Sequence, residues 1–291
     1  MLKKDQVKLV CLIIFIVGFI AVLLSDNRVT QTARAFSSGP PDGHTGAPGE
    51  LTCSASGCHT GTVNSGPGRL IVEAPSVYEP GQTYQITVKH MTNDSSRRRW
   101  GFQLTALTTS NDPAGTLASV SGLTQTLTGG PRGDRQYIEH SIAGTFQGQT
   151  GGCMWTFNWT APSTDVGPVV FYAAGNQANN DSNNTGDQIY TTTAVAFSGP
   201  PEIDSASVSG KKLFVEGKNF ANGATLYMCQ CNNPATDGSR VKKASNDNEN
   251  PFSLFVAKKA GKSIERGQTV QLQLKNPDGT LSNVFTFTRP Q

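Results

Sequence analysis

The stretch TCSASGCHTG, residues 52–61, places two thiols and an imidazole within seven positions: Cys53, Cys58 and His59. Two cysteines close in sequence can add across the vinyl groups of a haem. A histidine directly after the second is then held where it can ligate the iron. Cys58-His59 keeps that adjacency, although the spacer is C-x₄-C-H and not the usual C-x-x-C-H. The rival chemistry is plainer: a Cys53–Cys58 disulfide closing a small loop, with His59 solvated. A second iron ligand would come first from His140, then from His90, with Met91 and Met154 behind them. Arg99 ends the run Arg97-Arg98-Arg99. Such a run is ordinarily a solvated turn, but its fork geometry also suits haem propionates.

Other groupings carry less. The loop NNDSNNTGD spaces Asp181, Asn183, Thr185 and Asp187 like the start of a calcium loop, but Thr192 stands where the twelfth-position glutamate belongs. An ordinary polar loop is the expectation. Cys153 shares a face with Trp155, Phe157 and Trp159 and reads as buried and inert. Cys229 and Cys231 fall on one strand face, where an i, i+2 bond is awkward; pairing elsewhere, metal binding and free thiols all stay open. No nucleophile stands with a base: Glu139, His140 and Ser141 are strand neighbours that face alternate ways. Phosphate-cradling and zinc-protease motifs are absent, so no enzyme activity is expected.

The elements that must position these residues read as strands. TYQITVKH alternates Tyr84, Ile86, Val88 and His90 onto one face, and YIEHSI does the same for Ile138, His140 and Ile142. Short alternating runs with turn signals between them predict an all-β chain of two consecutive Ig-like β-sandwiches. The divisions are 36–197 for the first sandwich, 198–202 for a linker (SGPPE spans it) and 203–291 for the second. Residues 36–68 are a Gly/Pro/Ser/Thr-rich lead-in that holds the cysteine motif.

Residues 1–35 read as a signal peptide or membrane anchor. Lys3, Lys4 and Lys8 precede an apolar run from Leu9 to Leu24, and Ala33-Arg34-Ala35 supplies a small-x-small cleavage site. The run is short for a span, yet its distance from the cleavage site is long, so membrane attachment through 9–24 stays open. The expected location is the periplasm, the cell surface or the medium, with anchoring to the inner membrane if the segment is retained. That segment holds five basic and two acidic residues, so the chain beyond it is formally neutral against +3 for the whole. Nucleic acid is therefore not an expected partner. Five cysteines remain beyond the segment, so not all of them can pair within the chain.

The first sandwich resembles the bacterial reeler-like choice-of-anchor V domains. The resemblance rests on GPPDGHTGAPGELTC…GCH, YEPGQTYQITV, RRRWGFQLTAL, YIEHS, WTFNWTAP and FYAAGNQANNDSNNTGD, which together span most of 39–190. It implies one covalent haem c at Cys53, Cys58 and His59, with the stretched spacer as a departure from pattern. His44 inherits no role from it. The second unit is similar to IPT/TIG domains on PEIDSASVSGKKLFVEGKNF and VQLQLKNPDGTLSNVFTFT, which implies a spacer or a module with its own surface ligand; Cys229 and Cys231 lie outside that pattern. The function so implied is an exported monohaem protein for electron transfer or redox sensing at the envelope, serving a redox partner protein or extracellular acceptor. The alternative is an adhesive or surface-binding module with the Cys53–Cys58 disulfide and no haem.

Overall fold

A computed structural model describes residues 36–291 except 56 and 132; the signal or anchor expectation for 1–35 lies outside the described residues. The protein is all-β, with four antiparallel sheets consistent with two β-sandwich domains. In the first, β1 (Arg69–Glu73), β2 (Thr83–Met91), β7 (Gly152–Thr160) and β4 (Thr116–Ser119) form one sheet in the order β1-β2-β7-β4. The facing sheet has the order β5-β6-β3-β8-β9. Its strands are β3 (Arg99–Thr108), β5 (Thr124–Gly129), β6 (Arg135–His140), β8 (Val169–Ala178) and β9 (Gln188–Ala196).

Alternation fills the space between these sheets. Ile86, Val88 and His90 of β2 meet Cys153, Trp155, Phe157 and Trp159 of β7, and Trp100, Phe102 and Leu104 of β3 close the core. Each buried indole finds an acceptor: Trp155 Nε1–H donates to Gly144 O at 2.8 Å, Trp159 to Ala114 O at 2.8 Å and Trp100 to Gln149 O at 3.0 Å. Burial of a large ring is favourable only on that condition.

β3 departs from alternation, for its residues 100–107 are all buried. Its second face is covered by the lead-in, 36–68, which lies across the outer side of the five-stranded sheet. Gly39 shows how closely it lies: a Cβ there would collide with the Glu139 carboxylate. The structure also corrects the reading of YIEHSI. Ile138 faces the core, but β6 ends at His140, and Ile142 is 67 % exposed at the start of a short 3₁₀ turn.

The second domain pairs the sheet β10-β11-β15-β14 with the sheet β13-β12-β16-β17 around Leu213, Val215, Phe220, Phe255, Leu272 and Leu274. Its strands are β10 (Glu202–Ser209), β11 (Lys212–Lys218), β12 (Thr225–Cys229), β13 (Ser239–Arg240), β14 (Ala244–Asn246), β15 (Leu254–Ala257), β16 (Thr269–Lys275) and β17 (Phe285–Thr288). Cys229 and Cys231 are bonded to each other, against the expectation that i, i+2 geometry disfavours it. β12 stops at Cys229 and the chain turns, so the pair is not held on extended backbone. The two Cα atoms lie 5.3 Å apart, within disulfide reach.

Candidate functional site

The lead-in is held to the sheet by buried polar groups. Glu50, its side chain 0 % exposed, pairs with Arg135 Nη1 at 2.6 Å, and the Tyr137 hydroxyl donates to the same carboxylate oxygen at 2.8 Å. Gln103 on β3 accepts from the His44 N–H at 2.8 Å and donates to Pro41 O at 3.0 Å. Its amide also donates to Glu139 at 2.9 Å, and Gln125 donates to the other Glu139 oxygen at 2.8 Å. Burial holds the Glu139 carboxyl up at about 7 against these two bonds, with Asp42 adding to the rise.

Three residues beyond Glu50 the cysteine motif begins. The Ala55 N–H donates to Thr52 O at 3.0 Å and the Cys58 N–H to Ala55 O at 2.9 Å. The His59 N–H returns to Cys53 O at 3.1 Å. The four-residue spacer is thus taken up in successive turns, and His59 is brought back beside Cys53. Cys53 packs on Ala174 and Ile189 of the outer sheet face. Its thiol is pushed up to about 12 by burial, with the proximity of Cys58 adding to this; burial raises Cys58 as well. Neither is bonded to another cysteine.

His59 is fixed from the far end of the domain. Its Nδ1 lies 2.6 Å from Asp187 Oδ2, and the Asp187 side chain is 1 % exposed. Asp187 also accepts from the Asn179 N–H at 3.0 Å and from Asn176 Nδ2 at 3.3 Å. That amide nitrogen is 3.2 Å from both ring nitrogens of His59, an equidistance that puts it over the ring face and not on either lone pair. With Nδ1 committed to Asp187, Nε2 is the nitrogen left to the cavity. Asn176 Oδ1 is buried without a partner.

The cavity lies between the lead-in and the outer sheet face and is partly open to solvent. Cys53, Cys58, His59, Arg99 and His140 all line it, with Phe36, Pro40, Pro41, His44, Asn176 and Asp187. His140 reaches it by lying over Gly101, where a Cβ would be 2.8 Å from the ring. That Cβ position is on the face opposite Trp100 and Phe102, so the ring sits on the outer side and not in the core, as alternation with Ile138 had implied. Its Nδ1 is 3.2 Å from Phe102 O, and it bonds the Phe36 backbone too. Burial, more than the charges of Arg99 and His59, lowers its affinity for a proton and keeps it neutral.

His90 is not brought to this cavity. It is 1 % exposed in the core, with Nε2 3.0 Å from Gly101 O and Nδ1 3.0 Å from Gln177 Nε2. Both nitrogens are engaged, and burial holds it down at about 4. The arginine run is not a uniform solvated turn either. Arg97 is buried, donating to the carbonyls of Gly186 and of Gln177 (3.3 Å) and pairing with Asp94 at 3.1 Å. It thereby ties the 179–187 loop to the start of β3. In that loop Asn179 Nδ2 donates to Asp181 at 3.0 Å while Asp187 turns inward to His59, so the calcium-like spacing does not converge. No group of three or more His, Cys, Asp or Glu among the described residues is disposed to hold a bare metal ion.

Sequence reasoning missed Asp187 as the partner of His59, and missed His44 and Asn176 as cavity residues. The sequence separation of 128 between His59 and Asp187 hides the first; no local spacing signals it. A scan of the chain against protein-family models finds no match, and a search of curated proteins finds no similar one.

Proposed function

We propose that the chain is an exported electron-transfer or redox-sensing protein whose first, reeler-like sandwich binds one haem c through Cys53 and Cys58. His59 and His140 would be the residues that hold its iron. The observation that carries this reading is the convergence of both thiols, His59, His140 and Arg99 on one partly apolar cavity, from three separate parts of the chain. The donor set suits the group in two respects. Cys53 and Cys58 are not bonded to each other, which leaves both thiols available for thioether formation. His59 donates Nδ1–H to a buried carboxylate, the second partner that iron-bound histidines commonly have.

When bound, the haem supplies an iron that takes up and releases one electron. The chain's own residues do the rest. Asp187 fixes the tautomer and orientation of His59. Burial keeps His140 neutral and so able to donate an electron pair, in exchange for its Phe36 contact. Arg99 offers a guanidinium to the propionates, and Phe36, Pro40 and Pro41 exclude water from one side. The IPT/TIG-like unit serves as a spacer or contact module. Partners are a redox protein or an extracellular electron acceptor.

The test is expression with and without cytochrome c maturation machinery, followed by intact mass and a reduced visible spectrum. A mass gain of one haem and an α-band surviving acid–acetone extraction are expected. A colourless chain of unchanged mass overturns the reading.

A further inference from the structure

The formal neutrality beyond residue 35 conceals a segregation. Residues 36–202 carry seven Lys and Arg against twelve Asp and Glu, while 203–291 carry twelve against seven. The second domain is therefore +5 and the first −5. Much of the positive charge is gathered at one end of one sheet. Lys211 and Lys212 open β11, Lys258 and Lys259 follow the end of β15, and Lys242 and Lys243 precede β14. Register brings these ends together. Leu213 and Ala244 both pair with Ala257, and the Lys258 N–H donates to Lys243 O at 3.2 Å. The adjoining 3₁₀ turn adds Lys262, its Gly261 N–H bonded to Lys211 O at 3.1 Å.

All seven lysines are exposed, and none is in an ion pair among the described residues. The carboxylates of this sheet stand at its opposite end. Glu216 pairs with Leu254, and the Asp247 N–H bonds Leu254 O at 2.8 Å. Only Glu265 follows the lysine end closely in sequence.

We infer that this lysine end of the second domain docks on the surface of an anionic phospholipid bilayer. Three strand ends at β spacing make a patch about 10 Å across, an array of point charges. Its strand-end cations are lysines, point charges that suit a diffuse negative plane, with exposed Arg240 two residues before Lys242 and Arg289, bonded to Gly261 O at 2.7 Å, beside them. No aromatic side chain of this domain is among the exposed large hydrophobics, so the stacking platform of a single-stranded nucleic acid site is missing. The one ring beside the patch, Phe214, is half-buried, with Lys212 Nζ 6.0 Å from its centroid. The Leu9–Leu24 run gives the chain an apolar membrane signal, and a basic patch is the second signal that makes weak attachment stable.

The test uses the full chain with phosphatidylcholine vesicles, with and without phosphatidylglycerol. The apolar run contributes equally to both, so the readouts are the difference in partition and protection of the 240–262 lysines from trypsin. Both are expected to depend on phosphatidylglycerol and to vanish at high salt. Each lysine at such a surface is worth about a fivefold change in partition. Replacing Lys211, Lys212, Lys258 and Lys259 together by Gln should lower partition by on the order of several hundredfold, with an unchanged denaturation midpoint. Partition and cleavage indifferent to phosphatidylglycerol would overturn the inference. So would a quadruple variant that binds as well as the parent, or capture by duplex DNA or heparin with no lipid effect.

Discussion

The Glu50–Arg135 pair is the sharpest test of how the lead-in is held. In the Glu50→Ala protein the Arg135 guanidinium, 3 % exposed in its side chain, keeps only Pro48 O at 3.1 Å and Asn111 O at 3.4 Å. Its Nε is already buried without a partner, and the Tyr137 hydroxyl loses its acceptor as well. A buried charge left unpaired in this way costs about 3–5 kcal/mol. That is a large part of a typical domain's stability of about 5–15 kcal/mol. The Lys89–Glu73 pair is a control with the same 2.6 Å separation but side chains 28 % and 52 % exposed. Solvent screening limits that pair to under about 1 kcal/mol, so Glu73→Ala should be almost silent. Urea unfolding of the haem-free chain, followed by tryptophan fluorescence, measures both. Because Glu50 lies three residues before Cys53, Glu50→Ala should also expose the Cys53 thiol to a disulfide reagent under native conditions. Equal stability losses in the two variants, within about 1 kcal/mol, would refute the claim that burial and not distance sets the strength of the anchor.

The remaining tests bear on the site and on pH. On the haem reading, His140→Ala should turn a six-coordinate low-spin iron into a high-spin one that binds carbon monoxide; a low-spin spectrum in a less stable protein would remove His140 from the ligand set. Asp187→Ala takes the acceptor from His59 Nδ1–H, and should weaken iron–His59 ligation about 10–100-fold, read by displacement with exogenous imidazole. Glu139 is raised from 4.5 to about 7, so the unfolded chain ionises first. Stability should fall as pH rises from 4.5 to 7, by on the order of 2 kcal/mol, and Glu139→Gln should flatten that limb in urea titrations at several pH values. His90 is lowered from 6.5 to about 4, so the sign reverses: stability is present above 6.5 and is lost as pH falls towards 4. His90→Gln should flatten the acid limb alone.

The chain's own pattern determined a good deal. Period-two alternation in TYQITVKH and CMWTFNWT fixed which side chains fill the core, because a one-residue slip would turn every one of them to solvent. Adjacency in Cys58-His59 marked the residues on which the proposed haem chemistry rests, since attachment and ligation are local demands. What alternation could not decide was the second face of β3, which is buried only because a segment without periodicity lies over it. It misplaced His140 for a related reason: the strand ends at that residue, and a glycine at 101 leaves room for the ring on the outer side. The placing of His140 in the cavity, the pairing of His59 with Asp187 and the bond between Cys229 and Cys231 each depend on where strands stop and which distant segments meet there. Side-chain spacing within one strand carries no record of that. Only packing of the lead-in, the sheet and the 179–187 loop against one another brought the residues into a single cavity.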